Sequence, residues 1–171
     1  PVITTSDGVL IGMHASGLNP AEVSRRAGKG MPIQFPAIPG IEGAGEVIEI
    51  GSDVHSVSVG DRVVVRQPAY TYAELVVAPE TNVYKFPQNL SFVEASTISI
   101  IYSTAWAALC VKGEAKPGDT VLVQAAASGV GIAAVQLAKH LGMTVIGTSS
   151  SEEKLSWAQS LGLDHGINYQ S

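Results

Sequence analysis

An α/β fold in two parts is what this sequence predicts: a β-rich unit over residues 1–95, then half of a doubly wound parallel sheet over 96–171. Three observations predict it. Residues 1–90 break into apolar runs of four to seven residues separated by Gly- and Pro-rich turns. From Ser91 the pattern becomes helical, and after "KPGD" strand and helix alternate to the end. Alternation of that kind means parallel strands with helices on the faces of the sheet.

The elements follow in order. "VLIGMHA", "AGEVIEIG", "DRVVVRQ", "YAELVVA" and "NVYKFP" read as short strands, punctuated at Pro36–Gly40, Gly51–Asp53 and Gly60-Asp61. A short helix is expected behind Asn19-Pro20, with Asn19 as cap and Pro20 in the first helical position. Ser91 and Glu94 have capping-box spacing ahead of "ASTISIIYSTAWAALCV", which is apolar nearly all round and predicts a largely buried helix. The boundary between the two parts falls within residues 91–117 and is drawn at 95/96. The second part predicts strand 120–124, helix 129–141, strand 143–148, helix 152–161 and a short strand near 166–169.

Composition narrows the function classes. With 46% hydrophobic and 15% charged residues the chain has ample material for a core. A net charge of −5 argues against a nucleic-acid surface or an anionic membrane as partner. Neither a transmembrane run nor a signal peptide is read, and the single cysteine, Cys110, excludes an internal disulfide or a cysteine-cluster metal site. A cytoplasmic protein is expected.

The stretch "VLVQAAASGVGIAAVQLAKHLGMTVIGTSSSEEK" carries the chemistry. The first turn of a βαβ unit is where a dinucleotide pyrophosphate meets free amides and the positive end of a helix dipole. Ala126, Ala127, Ser128, Gly129, Val130 and Gly131 form such a small-residue turn, although only Gly131 keeps a glycine of the strict G-x-G-x-x-G pattern. A packing device would look similar. At the end of the next strand an acid would bind the 2′-hydroxyl of NAD, and this chain has Ser149, Ser150, Ser151 and Lys154 instead. Hydroxyls and an ammonium suit the 2′-phosphate of NADPH. The competing reading is that the serines cap the next helix and Lys154 is a solvated charge.

"ASGLNPAEVSRRAG" (15–28), "PGIEGAGEVIEIGSDVHSVSVGDRVV" (39–64), "YAELVVAP" (72–79), "STAWAAL" (103–109), "KPGDTVLVQAAASGVGIAAVQLAK" (116–139) and "INY" (167–169) occur in one order along the chain. On these the sequence resembles the medium-chain dehydrogenase/reductase superfamily, and within it the zinc-independent quinone oxidoreductases. The resemblance implies a GroES-like domain, lacking its first hairpin and its C-terminal return, joined to a partial Rossmann domain. It implies hydride transfer from NADPH to a small-molecule quinone or α,β-unsaturated carbonyl. Asn19 and Thr104 then flank the nicotinamide, the Ala126–Gly131 turn holds the pyrophosphate, and Lys154 and Tyr169 flank the 2′-phosphate with help from Ser149–Ser151. Asn19 as a mere cap and Tyr169 as a surface aromatic stay open.

Ile41 stands where zinc-bearing members have a histidine, and His14, His55, His140 and His165 show no ligand spacing, so no metal is expected. Tyrosines that line the cleft of some relatives are matched here by Ser24 and by Gly30 or its neighbours, so the acceptor pocket is expected to differ. Arg25 and Arg26 either recognise an acidic acceptor or are solvated. The family continues into a second half-sheet, so the chain reads as a fragment, or as a short form completed by a partner such as a second copy. An enoyl-thioester reductase and a catalytically idle NADPH sensor are the competing functions.

Overall fold

A computed structural model describes residues 1–29 and 36–171, which divide into two units, Pro1–Ile100 and Ile101–Ser171.

In the first unit the five expected runs form one antiparallel sheet. Its strands are β1 (Gly8–Ser16), β2 (Glu42–Ile50), β3 (Arg62–Arg66), β4 (Leu75–Pro79) and β5 (Val83–Lys85), in the order β4-β1-β2-β3-β5. Side chains alternate across a pleated strand, so β3 can serve both faces. Val63 and Val65 enter a cluster with Val9, Ile11, Val47 and Val83, whereas Val64 packs with Ala44 and Ala95 on the other side. Each such buried valine contributes about 1.5–3 kcal/mol relative to exposure. Helix α1 (Pro20–Arg26) begins at Pro20 behind Asn19, as the sequence predicts.

The second unit holds a parallel sheet of β6 (Thr120–Val123), β7 (Thr144–Ser149) and β8 (His165–Asn168). Helix α4 (Gly129–His140) buries Ala133, Ala134, Val135 and Ala138, and α5 (Glu152–Ser160), the last of the five helices numbered in chain order among the described residues, buries Leu155 and Ala158. The alanine-rich face of α4 brings it close to β7, where Val145 is fully buried.

The segment after Ser91 differs from expectation. Ser91 does cap: its Oγ accepts from the Glu94 N–H, and Glu94 accepts from the Ser91 N–H. Helix α2 (Phe92–Ala95) then stops, and α3 (Ile98–Trp106) follows, with a π-helical turn from Ala107 to Lys112. Ser96 Oγ turns back onto the Val93 carbonyl and Thr97 Oγ1 onto that of Glu94, which competes with helix continuation. Nor is the segment largely buried: in α3 only Ala105 is, while Trp106 and Val111 are 48% and 59% exposed. Among the described residues no helix is long and apolar enough to cross a membrane.

Candidate functional site

Asn19 sits at the N-terminus of α1, half-buried, on the wall of a cavity of about 850 Å³. Leu18, Pro20, Val23, Pro39 and Tyr72 supply the apolar wall, and Ser24, Arg25 and Arg26 also line it. Gly30 and its neighbours lie outside the described residues. Arg25 donates to the Pro68 carbonyl, which anchors it at the rim.

Two carboxylates hold this corner together. Glu22, only 7% exposed, accepts from the Asn19 N–H at 2.8 Å, from the Ile41 N–H at 2.9 Å and from the Tyr72 hydroxyl. Glu42, 1% exposed, accepts from Asn19 Nδ2 at 2.9 Å through one oxygen. Its other oxygen accepts from Ser99 Oγ and from the Ile100 N–H, each at 2.8 Å. Buried carboxylates persist when their lone pairs are filled in this way. Burial, followed by the Glu22 hydrogen bond and charge, pushes the Tyr72 phenol well above its ordinary range, so it keeps its proton and donates it in a hydrogen bond to Glu22. Gly40 makes the approach possible: at φ +98° it places Ile41 toward Glu22, and a Cβ there would lie 2.4 Å from Thr71 Oγ1.

Sequence reasoning found Asn19 and missed Glu22, Glu42 and Tyr72. The available signals were an acid three residues after the cap and an acid at the first position of strand β2, ahead of three small residues. Ile41 offers this corner a hydrocarbon side chain. Among the described residues no three His, Cys, Asp or Glu side chains are grouped to hold a metal. His14 stacks on Phe92, and His55, His140 and His165 lie in a loop, at the end of α4 and in β8.

In the second unit, topology brings the other predicted residues to the carboxyl end of the parallel strands. The turn after β6 is tied to the end of β7 by the Ala126 N–H on the Thr148 carbonyl, and the end of β8 by the Tyr169 N–H on that of Ser149. Ala125 takes φ +50°, which lets its carbonyl accept from the Ser128 N–H. Ser128 Oγ caps α4 by accepting from Gly131.

The small residues have separate reasons. Ala126 is fully buried, and a Cβ on Gly147 of β7 would come within 2.6 Å of its methyl. A Cβ on Gly131 would lie 2.3 Å from the Ala125 carbonyl oxygen. Those two are small for packing. Ala127 is half-buried, whereas Ser128, Gly129 and Val130 are exposed. The Gly129 and Val130 amides belong to the first helical turn, where no intrahelical acceptor exists, at a dipole's positive end. That arrangement can hold an anion.

The serines after β7 divide similarly. Ser149 is buried. Ser151 is the N-cap of α5, accepting from the Lys154 N–H, as the competing reading held. Ser150 Oγ takes the Lys154 ammonium at 3.2 Å, which holds that cation beside the end of β7. Tyr169 has an exposed ring just beyond β8, and Thr104 is exposed on α3.

The alcohol dehydrogenase GroES-like domain family matches residues 5–88, and the zinc-binding dehydrogenase family matches residues 129–171. A GroES-like antiparallel unit ahead of a Rossmann-type parallel sheet is the domain order of dehydrogenases. The chain belongs to the medium-chain dehydrogenase/reductase superfamily, on its quinone-oxidoreductase-like side. It is 42% identical over 164 residues to quinone oxidoreductase-like protein 2 homolog of Nematostella vectensis, covering 94% of this chain and 45% of that protein. The crystal structure of Escherichia coli quinone oxidoreductase complexed with NADPH matches all of this chain and 53% of that one, with a TM-score of 0.90 at 32% identity. That of CurK enoyl reductase matches 97% and 52%, with a TM-score of 0.88 at 30% identity. The chain thus spans about half the length of the relatives it matches.

Proposed function

We propose that this chain carries the acceptor cavity and the first half of the nucleotide site of a zinc-independent, NADPH-dependent reductase of quinones or α,β-unsaturated carbonyls. The observation that carries the reading is the Lys154 ammonium held on Ser150, at the same sheet end as the exposed Gly129 and Val130 amides. A pyrophosphate is a dianion that those amides and the α4 dipole accommodate, and a 2′-phosphate is a second anion that Lys154 and Ser150 accommodate.

NADPH, when bound, supplies the hydride. The chain's own part is positional. Gly129 and Val130 bind phosphate oxygens, Lys154 and Ser150 select the phosphorylated ribose, and the exposed Tyr169 ring flanks it. Thr104 keeps the nicotinamide contact that the family resemblance implies. The apolar wall of Leu18, Pro20, Val23 and Pro39 excludes water from the acceptor. Electron-poor acceptors need little further polarisation, which fits the hydrocarbon side chain of Ile41 where zinc-bearing members place a ligand. Tyr72 keeps its proton in a hydrogen bond to Glu22, so the proton that completes reduction comes from solvent or from elsewhere. The similarity to CurK enoyl reductase favours an enoyl thioester as the alternative acceptor.

Fluorescence titration with NADPH and NADH tests the nucleotide half: tighter NADPH binding is expected, and equal affinities refute it. Absorbance loss of NADPH with a quinone, an enone and an enoyl thioester in turn identifies the acceptor. Binding without turnover of any of them would point to a sensor.

A further inference from the structure

The bond between Asn19 and Glu42 has a consequence for what the cavity recognises. A carboxamide can present either its oxygen or its NH2 to a neighbour, and the two ends have nearly the same shape. Glu42 removes that freedom. An ionised carboxylate only accepts hydrogen bonds, so the end of Asn19 that meets Glu42 Oε1 at 2.9 Å must be the NH2. Glu42 cannot turn aside, because Oε2 is engaged by Ser99 Oγ and the Ile100 N–H and the side chain is 1% exposed. The Asn19 main chain is clamped as well, by its N–H on Glu22 Oε2 at 2.8 Å. Asn19 lines the cavity and Glu42 does not; the end turned away from Glu42 is Oδ1, which also faces the Glu22 N–H in a capping box and keeps a second lone pair for the cavity. Among the other polar groups that line the cavity, the Tyr72 hydroxyl has its proton committed to Glu22 and Arg25 is anchored on the Pro68 carbonyl.

We propose that Glu42 is a positioning residue that locks the Asn19 carboxamide with its oxygen toward the cavity, so that Asn19 selects ligand groups bearing O–H or N–H and does not polarise a carbonyl. The inference rests on the reductase reading for its ligands, though not for its geometry. A quinone or enone oxygen is itself only an acceptor and gains nothing from Asn19 Oδ1. A hydroquinone hydroxyl, or a hydroxyl or carboxamide N–H of the dinucleotide, does. Asn19 therefore belongs to the cofactor or to the reduced product.

The geometry is tested by NMR of the Asn19 side-chain amide in the intact chain, identified by its loss in Asn19→Leu. Glu42→Gln preserves shape but places an NH2 against Asn19, which then flips to offer its oxygen inward. The Asn19 Nδ2 protons should exchange with water at least roughly tenfold faster in that variant, since a charge-assisted bond is lost. Unchanged exchange in a folded Glu42→Gln protein overturns the proposal. Should that variant not fold, Glu42→Asp retains the charge while withdrawing the acceptor by one methylene, and is read the same way.

Ligand selection is tested by titrating NADPH, tetramethyl-1,4-hydroquinone and tetramethyl-1,4-benzoquinone. Asn19→Leu should weaken NADPH or the hydroquinone, whichever supplies the donor, by roughly tenfold while leaving the quinone unaffected. Selective loss of quinone binding overturns the selection. Failure of all three to bind the wild-type chain overturns the selection and the reductase reading together, while the exchange measurement still decides the geometry.

Discussion

In the first unit the wall around Asn19 is made by side chains: two buried carboxylates fix an amide, a phenol and three main-chain N–H groups. In the second unit the turn after β6 is made by main chain, and its side chains matter mostly by being small. The first design specifies which chemical group meets a ligand, at the cost of burying charge. On the proposed reading the second provides amides that a phosphate can use, and leaves selectivity to Ser150 and Lys154. The difference teaches where each unit tolerates change. The cavity corner should respond to loss of a functional group, and the turn to gain of volume.

The strongest way to break the comparison is Gly131→Val. Its Cβ meets the Ala125 carbonyl, which cannot move without undoing the turn, so a loss of about 3 kcal/mol is expected in urea unfolding. A near-neutral result would show that the turn is not set by main-chain contact. Glu22→Ala comes next. It leaves two N–H groups without their acceptor and the Tyr72 hydroxyl with only the Gly17 carbonyl at 3.2 Å, for about 2 kcal/mol, because water from the adjoining cavity reaches part of the gap. Unfolding curves that superimpose on wild type would remove the side-chain half of the argument.

Lys154→Glu sharpens the second half. Stability should hold, while NADPH affinity falls by about 1.5 kcal/mol, roughly tenfold, and NADH affinity does not. An equal fall for both nucleotides would detach Lys154 from the 2′-phosphate. Ala125→Gly tests the turn from the favourable side. Relieving φ +50° in a residue with a Cβ should stabilise by up to about 1 kcal/mol, net of the entropy that glycine adds to the unfolded chain. Destabilisation would mean that the alanine methyl packs.

The smallest effect is a pH limb. Tyr72 has its phenol pKa raised by burial and then by Glu22, so the folded state holds a proton that the unfolded chain releases near pH 10.0. The stability this contributes is fully present below that pH and declines as pH rises above it. Tyr72→Phe should flatten the alkaline side of the stability profile, measured by urea midpoints from pH 8 upward. An unaltered alkaline limb would mean that the phenol and Glu22 are not coupled.

Much of the scaffold is local physics and was legible. The period-two runs of β1 to β5, the Asn19-Pro20 start of α1, the Ser91–Glu94 box and the strand–helix alternation after Lys116 all follow from neighbours a few residues apart. The helix after Ser91 was misjudged because side chains at Ser96 and Thr97 competed for its backbone, and hydrophobic periodicity does not register that. Glu22 and Tyr72 lie 50 residues apart, and Ser99 and Glu42 lie 57 apart, so no window of sequence contains either pair.

By itself the sequence determined the two kinds of unit, the small-residue turn after β6 and the capped helix starts, because hydrophobic period, caps and small-residue spacing act over a turn or two of chain. Only tertiary structure decided why Ala126 is small and which end of Asn19 faces the cavity. Those are settled by groups that meet through folding, where a buried acceptor takes whatever donors the packed sheet and its helices bring within 3 Å.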